Sequence, residues 1–284
     1  MLDPMLGSWK STAIVLATVL ATGCSTSSDT AAASPKLYIF DCGSIDGVSP
    51  AGFGLKAEEI AVPGFFTPCY LIVHPKGTLI WDTGQIPDAN LQAGAATKQG
   101  PFTVTKPFLP QLAAVGYQPS QITYLALSHY HGDHTANANA FAGATWLVQQ
   151  AEHEAMFREP PPQRITVLHF DKLKTAKTEI LHGDHDVFGD GTVVLKPTPG
   201  HTEGHQSLFL KLARTGPIVL CGDLYHYPEE RTLDRIPTIE ISQDQTRASR
   251  QGLEAFLKES GAALWIQHDR AAAAKLKLAP EFYE

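Results

Sequence analysis

Four side chains that can bind metal lie close together in the segment Ser128-His129-Tyr130-His131-Gly132-Asp133-His134. His129 and His131 are two residues apart, so in an extended or looping backbone both point the same way and can hold one ion. Asp133 and His134 stand at the start of a predicted helix and can face a second ion. Imidazole and carboxylate groups suit a borderline cation such as Zn²⁺. The segment therefore predicts a site for two metal ions.

Three further potential ligands, His201, Asp223 and His268, each stand just past an apolar, strand-like run. Loops at strand ends are held by a rigid sheet and commonly carry function. We therefore expect these strand ends to open on one site. His205 follows His201 closely, and we interpret it as a local hydrogen-bonding partner, because His201 fits the ligand position better.

The HxHxDH motif, the PGHTEGH segment, the Gly-Asp pair after an apolar strand and the late histidine together resemble the metallo-β-lactamase superfamily. The likeness spans nearly all of the chain after residue 36. It implies an α/β fold, a four-layer αβ/βα sandwich with the metals at one edge of two facing sheets. Carried over by motif, the first metal would take His129, His131 and His201, the second would take Asp133, His134 and His268, and Asp223 would bridge them.

The resemblance implies two divalent ions, with zinc as the expected metal, although cobalt, manganese and iron also suit these ligands. The nucleophile would be a hydroxide that bridges the two ions, so no serine or cysteine nucleophile is needed. Asp133 and Asp223 would take part in catalysis through the metals. Asp82, in Trp81-Asp82-Thr83-Gly84, matches a position that orients a metal-bound histidine. In isolation it would be interpreted as a turn carboxylate.

Within the superfamily, the sequence most resembles the N-acyl homoserine lactonases, which open a small-molecule lactone ring and thereby quench quorum signals. Asp223 stands where the β-lactamase branch usually has a cysteine, and Cys221 should point to the opposite face of its strand. Residues 65–72 resemble the early hairpin of these lactonases. Residues 222–226, together with a secretion signal, are similar to an exported subgroup.

The sequence departs from the better-known intracellular lactonases at His226, where they have a tyrosine that hydrogen-bonds the lactone oxygen. Three interpretations stay open. His226 acts as donor or proton shuttle, which its ordinary pKa near 6.5 would allow; a neighbouring tyrosine, Tyr225 or Tyr227, reaches in; or His226 only packs against the metal ligands. For the acyl tail, the predicted pocket walls are Phe65, Phe66, Phe102 and Phe108, with ordinary core packing as the alternative for each.

Other functions remain possible from these residues. A phosphotriesterase of the same fold is the nearest alternative, because a hydroxide between two metals also suits attack on phosphorus. A β-lactamase and a thioesterase of the glyoxalase II type are disfavoured. A non-catalytic metal-binding scaffold would be expected to lack ligands, and all seven are present.

Composition excludes some partners. The net charge is −7 and no run of Lys or Arg occurs, which argues against nucleic acid, since phosphate binding needs clustered positive charge. No oligomeric state is predicted. Cys42 and Cys69 could form a disulfide in an oxidising compartment, which the sequence leaves open.

The N-terminus resembles an export signal. Residues 1–24 contain an apolar stretch that ends in Ala21-Thr22-Gly23-Cys24, too short for a permanent membrane span. Small residues before a cysteine predict a bacterial lipoprotein signal, in which lipidated Cys24 would be the only membrane attachment of a periplasmic protein. The alternative is an ordinary signal peptide. Residues 25–35 are predicted to be a flexible tether, and residues 36–284 the hydrolase domain.

The remaining sequence must position these groups. Short β-type runs alternate with loops, and residues 74–77 predict a hairpin turn between two strands. The clearest helix is predicted from Gln243 to Ser260, with Gly261 as its C-terminal stop. Residues 85–121 are poor in regular signals, which in a compact enzyme favours a functional loop.

Overall fold

The computed structural model describes residues 34–284, together with Met1 and Gly7. The rest of the predicted signal peptide, including Cys24, and residues 25–33 of the predicted tether lie outside the described residues. The first strand begins at Lys36. Among the described residues, no helix combines the length and the apolar character needed to cross a membrane.

The β-strands of the described residues belong to two sheets. Most of them are short runs of apolar and β-branched residues bounded by turns, as the sequence predicted. In chain order they are β1 (Lys36–Ile45), β2 (Phe65–His74), β3 (Gly77–Trp81), β4 (Thr97–Gln99), β5 (Phe102–Val104), β6 (Tyr124–Ala126), β7 (Thr145–Gln149), β8 (Thr178–Leu181), β9 (His185–Asp186), β10 (Val193–Pro197), β11 (Gln206–Leu212), β12 (Gly216–Leu220), β13 (Ala263–Trp265) and β14 (Phe282–Tyr283).

The larger sheet has the order β4-β5-β1-β2-β3-β6-β7-β8, with β14 paired to β1, and the smaller has the order β13-β12-β11-β10-β9. Strands β3, β6, β7 and β8 run parallel to one another. Strands β12 and β13 of the smaller sheet are also parallel. Parallel neighbours place their carboxyl ends at the same edge of a sheet, where ligand sites of α/β proteins commonly form.

Helices flank the sheets and interrupt the loops. The α-helices are α1 (Phe108–Ala114), α2 (Gly132–Thr135), α3 (Gln150–Phe157), α4 (Pro228–Thr232), α5 (Gln243–Ser260) and α6 (Arg270–Ala273). Single turns of 3₁₀-helix cover Pro50–Phe53, Ala57–Glu59, Asp88–Asn90, Pro119–Gln121, Ala138–Phe141, Val167–His169, Asp171–Thr175 and Gly222–Leu224.

The core consists of three stacked apolar interfaces. Between the two sheets, Ile39 and Trp81 of the larger sheet belong to the same buried cluster as Leu208 of the smaller sheet. The other face of the larger sheet packs against α1 and α3, and the other face of the smaller sheet packs against α5. This helix–sheet–sheet–helix order confirms the predicted four-layer αβ/βα sandwich, since each sheet and helix must bury one apolar face.

Two local predictions are confirmed. The hairpin of β2 and β3 closes with His74 opposite Gly77. Helix α5 has the predicted bounds; the Ser242 hydroxyl accepts a hydrogen bond from the Gln245 amide at its start, and Gly261 ends it with φ +68°. A glycine adopts this left-handed conformation without the steric cost that a side chain brings.

The segment 85–121 is more regular than predicted. It contains β4, β5 and α1 in addition to short 3₁₀ turns. Its strands are only three residues long, so they lack the alternating run that marks a strand in sequence. The functional part of the prediction holds, because Asn90, Gln99 and Phe102 of this segment line the cavity described below.

Cys42 of β1 and Cys69 of β2 form a disulfide. Both cysteines are buried in the core that lies against α1. The two strands are antiparallel neighbours in which Phe40 pairs with Cys69. The bridge that the sequence left open is therefore present in the structure, and it lies next to Gly84 of the Trp81-Asp82-Thr83-Gly84 segment.

Candidate metal centre and substrate cavity

All predicted ligands lie on loops or short helical turns at one edge of the sandwich. His129 and His131 follow β6, and His201 lies in the loop between β10 and β11. Asp133 and His134 lie on the short helix α2, whose single turn presents both side chains to the same space. Asp223 follows β12 and His268 follows β13, the parallel pair of the smaller sheet. The strand ends therefore open on one site, as predicted.

His129, His131 and His201 form what we call the imidazole cluster. The Nδ1 atom of His131 lies 2.8 Å from Nε2 of His129 and 3.0 Å from Nε2 of His201. All three side chains are buried. Their converging nitrogens lie close enough to bind one ion.

Asp133, His134 and His268 form what we call the mixed cluster. Oδ2 of Asp133 lies 3.6 Å from Nε2 of His134 and 3.6 Å from Nε2 of His268. Asp133 is the most open of these groups, with a side-chain exposure of 17%. This cluster offers two imidazoles and a carboxylate to a second ion.

Asp223 lies between the two clusters and turns one carboxylate oxygen toward each. Its Oδ2 atom is 3.4 Å from Nε2 of His201 and 3.7 Å from Nε2 of His129. Its Oδ1 atom is 3.0 Å from Nε2 of His268 and 3.2 Å from Nε2 of His134. This is the geometry predicted for a bridging carboxylate.

The donor set fits metal ions better than it fits hydrogen bonding within the protein. Within the described part of the chain, Nε2 of His134 and Oδ1 of Asp223 are buried without a hydrogen-bond partner. Buried polar atoms are normally paired, so these atoms indicate a missing partner at the mixed cluster. The structure therefore supports all seven predicted ligands.

The electrostatics of the two clusters differ. Burial holds the pKa values of His129 and His131 well below their ordinary value and also lowers the pKa of His201. Burial would also lower the pKa of His134, but the carboxylates of Asp223 and Asp82 outweigh it and hold that pKa well above its ordinary value. The imidazole cluster thus favours neutral rings, the form that binds metal.

Three of the ligand histidines have a further hydrogen-bond partner at Nδ1, the ring nitrogen that does not face the site. Asp82, fully buried, places Oδ2 2.9 Å from Nδ1 of His134. Glu240 places Oε1 3.0 Å from Nδ1 of His201, and Nδ1 of His268 lies 2.8 Å from the Phe66 carbonyl oxygen. Such partners set the orientation and tautomer of a metal-binding imidazole. The predicted role of Asp82 agrees with this geometry.

His205 behaves as the predicted local partner. Its Nδ1 atom lies 3.0 Å from the Thr198 carbonyl oxygen, and its Nε2 atom accepts a hydrogen bond from the Asp223 backbone N–H at 2.9 Å. Burial lowers the pKa of His205 to about 3, so its ring is neutral. Gly222 has φ +57°, and a Cβ atom there would lie 2.6 Å from Nε2 of His205. The glycine thus permits the close approach that fixes Asp223.

His226 lies beside the bridging carboxylate. Its Nε2 atom is 3.2 Å from Oδ2 of Asp223, and its Nδ1 atom is 3.3 Å from Oε1 of the buried Glu230. Burial would lower the pKa of His226, but Glu230 and Asp223 outweigh it and raise this pKa to about 10. The ring also contacts Phe53, with 4.7 Å between ring centroids. His226 therefore faces the site, and these two carboxylates favour its protonated form in the metal-free protein.

The prediction that Tyr225 takes part in catalysis is wrong. Its hydroxyl donates a hydrogen bond to Glu254, and Arg250 lies over its ring at 4.1 Å. The backbone at Tyr225 is extended, so successive side chains point to opposite faces. His226 faces Asp223, and Tyr225 faces Glu254 and Arg250 of α5. Tyr227 packs its ring on Phe65 instead.

A cavity of about 560 Å³ opens directly onto the ligands. His131, Asp133, Asp223 and His268 lie at its base. One wall is apolar, and the rest carries polar side chains, including Gln85 and Thr166. The apolar wall consists of Ile45, Val48, Phe53, Phe65, Phe102 and Ile239.

The predicted pocket residues divide into two pairs. Phe65 and Phe102 line the cavity as predicted, whereas Phe66 and Phe108 do not. Phe66 follows Phe65 on β2 and therefore points to the other face of the strand. Phe108 begins α1 and packs in the core on Phe40, with 5.4 Å between ring centroids. Core packing, the stated alternative, is correct for Phe108.

Sequence reasoning missed three carboxylates and one histidine around the site. Glu152 and Glu240 contact the ligand loops or the side chains in them across 22 and 39 residues of sequence, whereas Glu230 lies four residues after its partner His226. The histidine is His169, which lines the cavity and whose Nδ1 atom lies 3.3 Å from the Thr135 hydroxyl.

Comparison with known proteins agrees with this geometry. The family model described as the metallo-beta-lactamase superfamily matches residues 62–264. The N-acyl homoserine lactonase AttM of Rhizobium johnstonii is 32% identical over 227 residues, which cover 76% of this chain and 86% of that protein. An N-acyl homoserine lactonase of Bacillus thuringiensis is 28% identical over 227 residues, 75% of this chain and 85% of that protein.

A solved structure of a quorum-quenching N-acyl homoserine lactone lactonase has the same fold, with a TM-score of 0.74 at 24% identity, over 88% of this chain and 98% of that chain. The motif-based resemblance is thereby confirmed. The chain belongs to the metallo-β-lactamase superfamily.

Proposed function

We propose that this protein hydrolyses N-acyl homoserine lactones to N-acyl homoserines. The observation that carries the proposal is Asp223, which turns one oxygen to each cluster at the base of a cavity with an apolar wall. The curated relatives that are about 30% identical are lactonases of this substrate class. A non-catalytic scaffold is disfavoured, because the seven ligands converge on one open cavity.

The residues fit two divalent ions, one at each cluster with Asp223 between them, and we propose zinc for both. Three neutral imidazoles are a typical zinc ligand set. When bound, two such ions lower the pKa of water and stabilise negative charge on a carbonyl oxygen. Asp82 and Glu240 hold the rings of His134 and His201 in the orientation that this requires.

The apolar wall would bind the acyl chain. Phe53, Phe65 and Phe102 line the cavity and belong to one apolar cluster beside the ligands. Burial of an apolar chain against them is favourable in proportion to the area removed from water. The same side chains exclude water from the reacting ester, so that charges at the ligands are less screened.

His226 would supply the proton to the oxygen that leaves when the ring opens. It is buried, and its Nε2 atom lies 3.2 Å from Oδ2 of Asp223 at the base of the cavity. Glu230 holds the other side of the ring. Of the three interpretations of this position, we therefore favour His226 itself as donor.

The substrate is tested with purified protein of known metal content. We expect kcat/KM for a graded series of acyl homoserine lactones to exceed that for an aryl phosphotriester by several orders of magnitude. A higher kcat/KM for the phosphotriester would identify a phosphotriesterase of this fold instead. One positive assay alone does not decide, because one such site can support both reactions.

We also propose that the protein is exported and anchored by lipidated Cys24. The small residues before Cys24 and the Ser/Thr/Ala-rich segment that follows support this. The Cys42–Cys69 disulfide supports an oxidising compartment. Replacing Cys24 by alanine should release the protein from the membrane fraction. Unchanged membrane association would remove the lipoprotein proposal.

A further inference from the structure

Glu152 is a buried carboxyl group that touches both segments carrying the imidazole cluster but none of the ligands. It lies on α3 and is 2% exposed. Its Oε1 atom accepts the backbone N–H of Tyr130 at 2.7 Å. Its Oε2 atom accepts the Thr202 hydroxyl at 2.8 Å and the Gly204 backbone N–H at 2.9 Å. Tyr130 stands between His129 and His131.

The segment that carries His201 packs tightly on the same helix. A Cβ atom at Gly204 would lie 2.2 Å from the backbone nitrogen of Glu152. Only a glycine fits this approach, so the segment cannot shift toward α3, and the three hydrogen bonds oppose movement away from it. The two ligand segments are therefore held against one rigid point.

A carboxyl group satisfies these three donors in either protonation state. When ionised, it accepts all three hydrogen bonds. Burial raises its pKa to about 8. When Glu152 is protonated on Oε2, it donates a hydrogen bond to the Thr202 hydroxyl, because a hydroxyl can accept as well as donate. The carboxyl group still accepts hydrogen bonds from both backbone N–H groups. A glutamine cannot do this, because its NH₂ group would face either the Gly204 or the Tyr130 N–H and leave one buried donor unpaired.

We propose that Glu152 is a positioning residue for the imidazole cluster. By tying residues 129–131 to the segment of residues 198–205, it sets the 3.0 Å separation between Nδ1 of His131 and Nε2 of His201. It does not reach the mixed cluster, whose histidines are oriented by Asp82 and the Phe66 carbonyl. The inference rests on the proposed metal site and is independent of the substrate.

The test measures Zn²⁺ affinity of metal-free protein by competition with a chelator, without substrate. Glu152→Gln is compared with Glu154→Gln, an exposed residue on the same helix. Each change is made in two backgrounds that retain one cluster: His268→Ala, which keeps the imidazole cluster, and His201→Ala, which keeps the mixed cluster. A failed lactonase assay would leave these measurements unaffected, so the two proposals are tested separately.

We expect Glu152→Gln to weaken Zn²⁺ binding at least about tenfold in the His268→Ala background. In the His201→Ala background it should change binding less than twofold, and Glu154→Gln should have no effect in either. Equal losses in both backgrounds would show a general structural role and overturn the proposal, as would unchanged affinity.

If Glu152→Gln does not fold, Thr202→Val provides the same test with a smaller change. It keeps the carboxyl group and removes one of its three hydrogen bonds. We expect a loss of Zn²⁺ affinity of about threefold, again confined to the His268→Ala background. No loss, or the same loss in both backgrounds, would overturn the proposal.

Discussion

The two halves of the metal centre differ in chemistry and in access. The imidazole cluster consists of three buried rings, and burial keeps them neutral. The mixed cluster has a partly exposed carboxylate, Asp133, which lines the cavity. Nitrogen-rich sets favour zinc, whereas carboxylates accept a wider range of cations. The comparison predicts that the imidazole cluster binds zinc more selectively than the mixed cluster.

The largest effect is expected where the two halves meet. Asp223→Ala should reduce kcat/KM by at least roughly 1,000-fold, because it removes the only carboxylate among the seven ligands that faces both clusters. Bound metal should also fall toward one equivalent. Metal analysis and hydrolysis assays check this, with the exposed Asp244→Ala on α5 as control. Full activity in Asp223→Ala would disprove the two-metal account.

Changes at the two orienting carboxylates, Asp82 and Glu240, should each weaken metal binding at one cluster only. Asp82→Asn should weaken metal binding at the mixed cluster by roughly 10–100-fold, and Glu240→Gln should do the same at the imidazole cluster. Each removes the partner of one ligand ring. Metal titration of the two variants checks this. Identical titration curves would show that the clusters bind as one unit.

His226 should affect catalysis without affecting metal content. His226→Gln removes a charged donor near Asp223, and we expect kcat to fall roughly 100-fold with two metal equivalents retained. Steady-state kinetics and metal analysis on the same sample check this. Unchanged kcat would assign His226 to packing, the third interpretation of this position.

The sequence identifies site residues that lie in local motifs, but not those that contact the site across a long sequence separation. The seven ligands and Asp82 lie in short motifs at strand ends, and the resemblance to the metallo-β-lactamase superfamily assigned their roles, since Asp82 in isolation would be interpreted as a turn carboxylate. Glu240 and Glu152 act across long separations, 39 residues from His201 in the first case, and nothing in their local sequence marks them. Tyr225 was a different error, since its side chain lies against Glu254 and Arg250 of α5, on the side away from His226.

The fold was predictable to a similar extent. The apolar strands and α5 follow from hydrophobic patterns and end signals, and the four layers follow from the family resemblance. The three-residue strands β4 and β5 carry too few side chains to show a period. The pairing of β4 with β5 and of β5 with β1 depends on tertiary contacts that no local pattern encodes.

The cavity wall should affect affinity for long substrates only. Phe102→Ala should raise KM for long-chain lactones about tenfold, because the acyl chain loses apolar contact, and leave KM for short chains unchanged. Phe66→Ala, outside the cavity, is the control. Equal effects of both variants would mean that Phe102 contributes to folding and not to acyl binding.

The smallest expected effect is a change with pH in the free energy of unfolding, caused by Glu152 behind the imidazole cluster. The folded-state pKa of Glu152 is about 8, above its ordinary value of 4.5, chiefly because of burial. Its contribution to stability is therefore complete below about pH 4.5 and is lost as the pH rises through 8. In metal-free protein, the free energy of unfolding of the wild type should fall relative to Glu152→Gln between these values. Urea denaturation at pH 5 and pH 8 checks this; parallel profiles would contradict it.

The most direct test of the two-metal account is to add Zn²⁺ stepwise to metal-free protein and to follow lactone hydrolysis with each equivalent. We predict that the first equivalent binds at the imidazole cluster with little activity, and that kcat rises only as the second binds at the mixed cluster. Full activity after one equivalent would contradict the account.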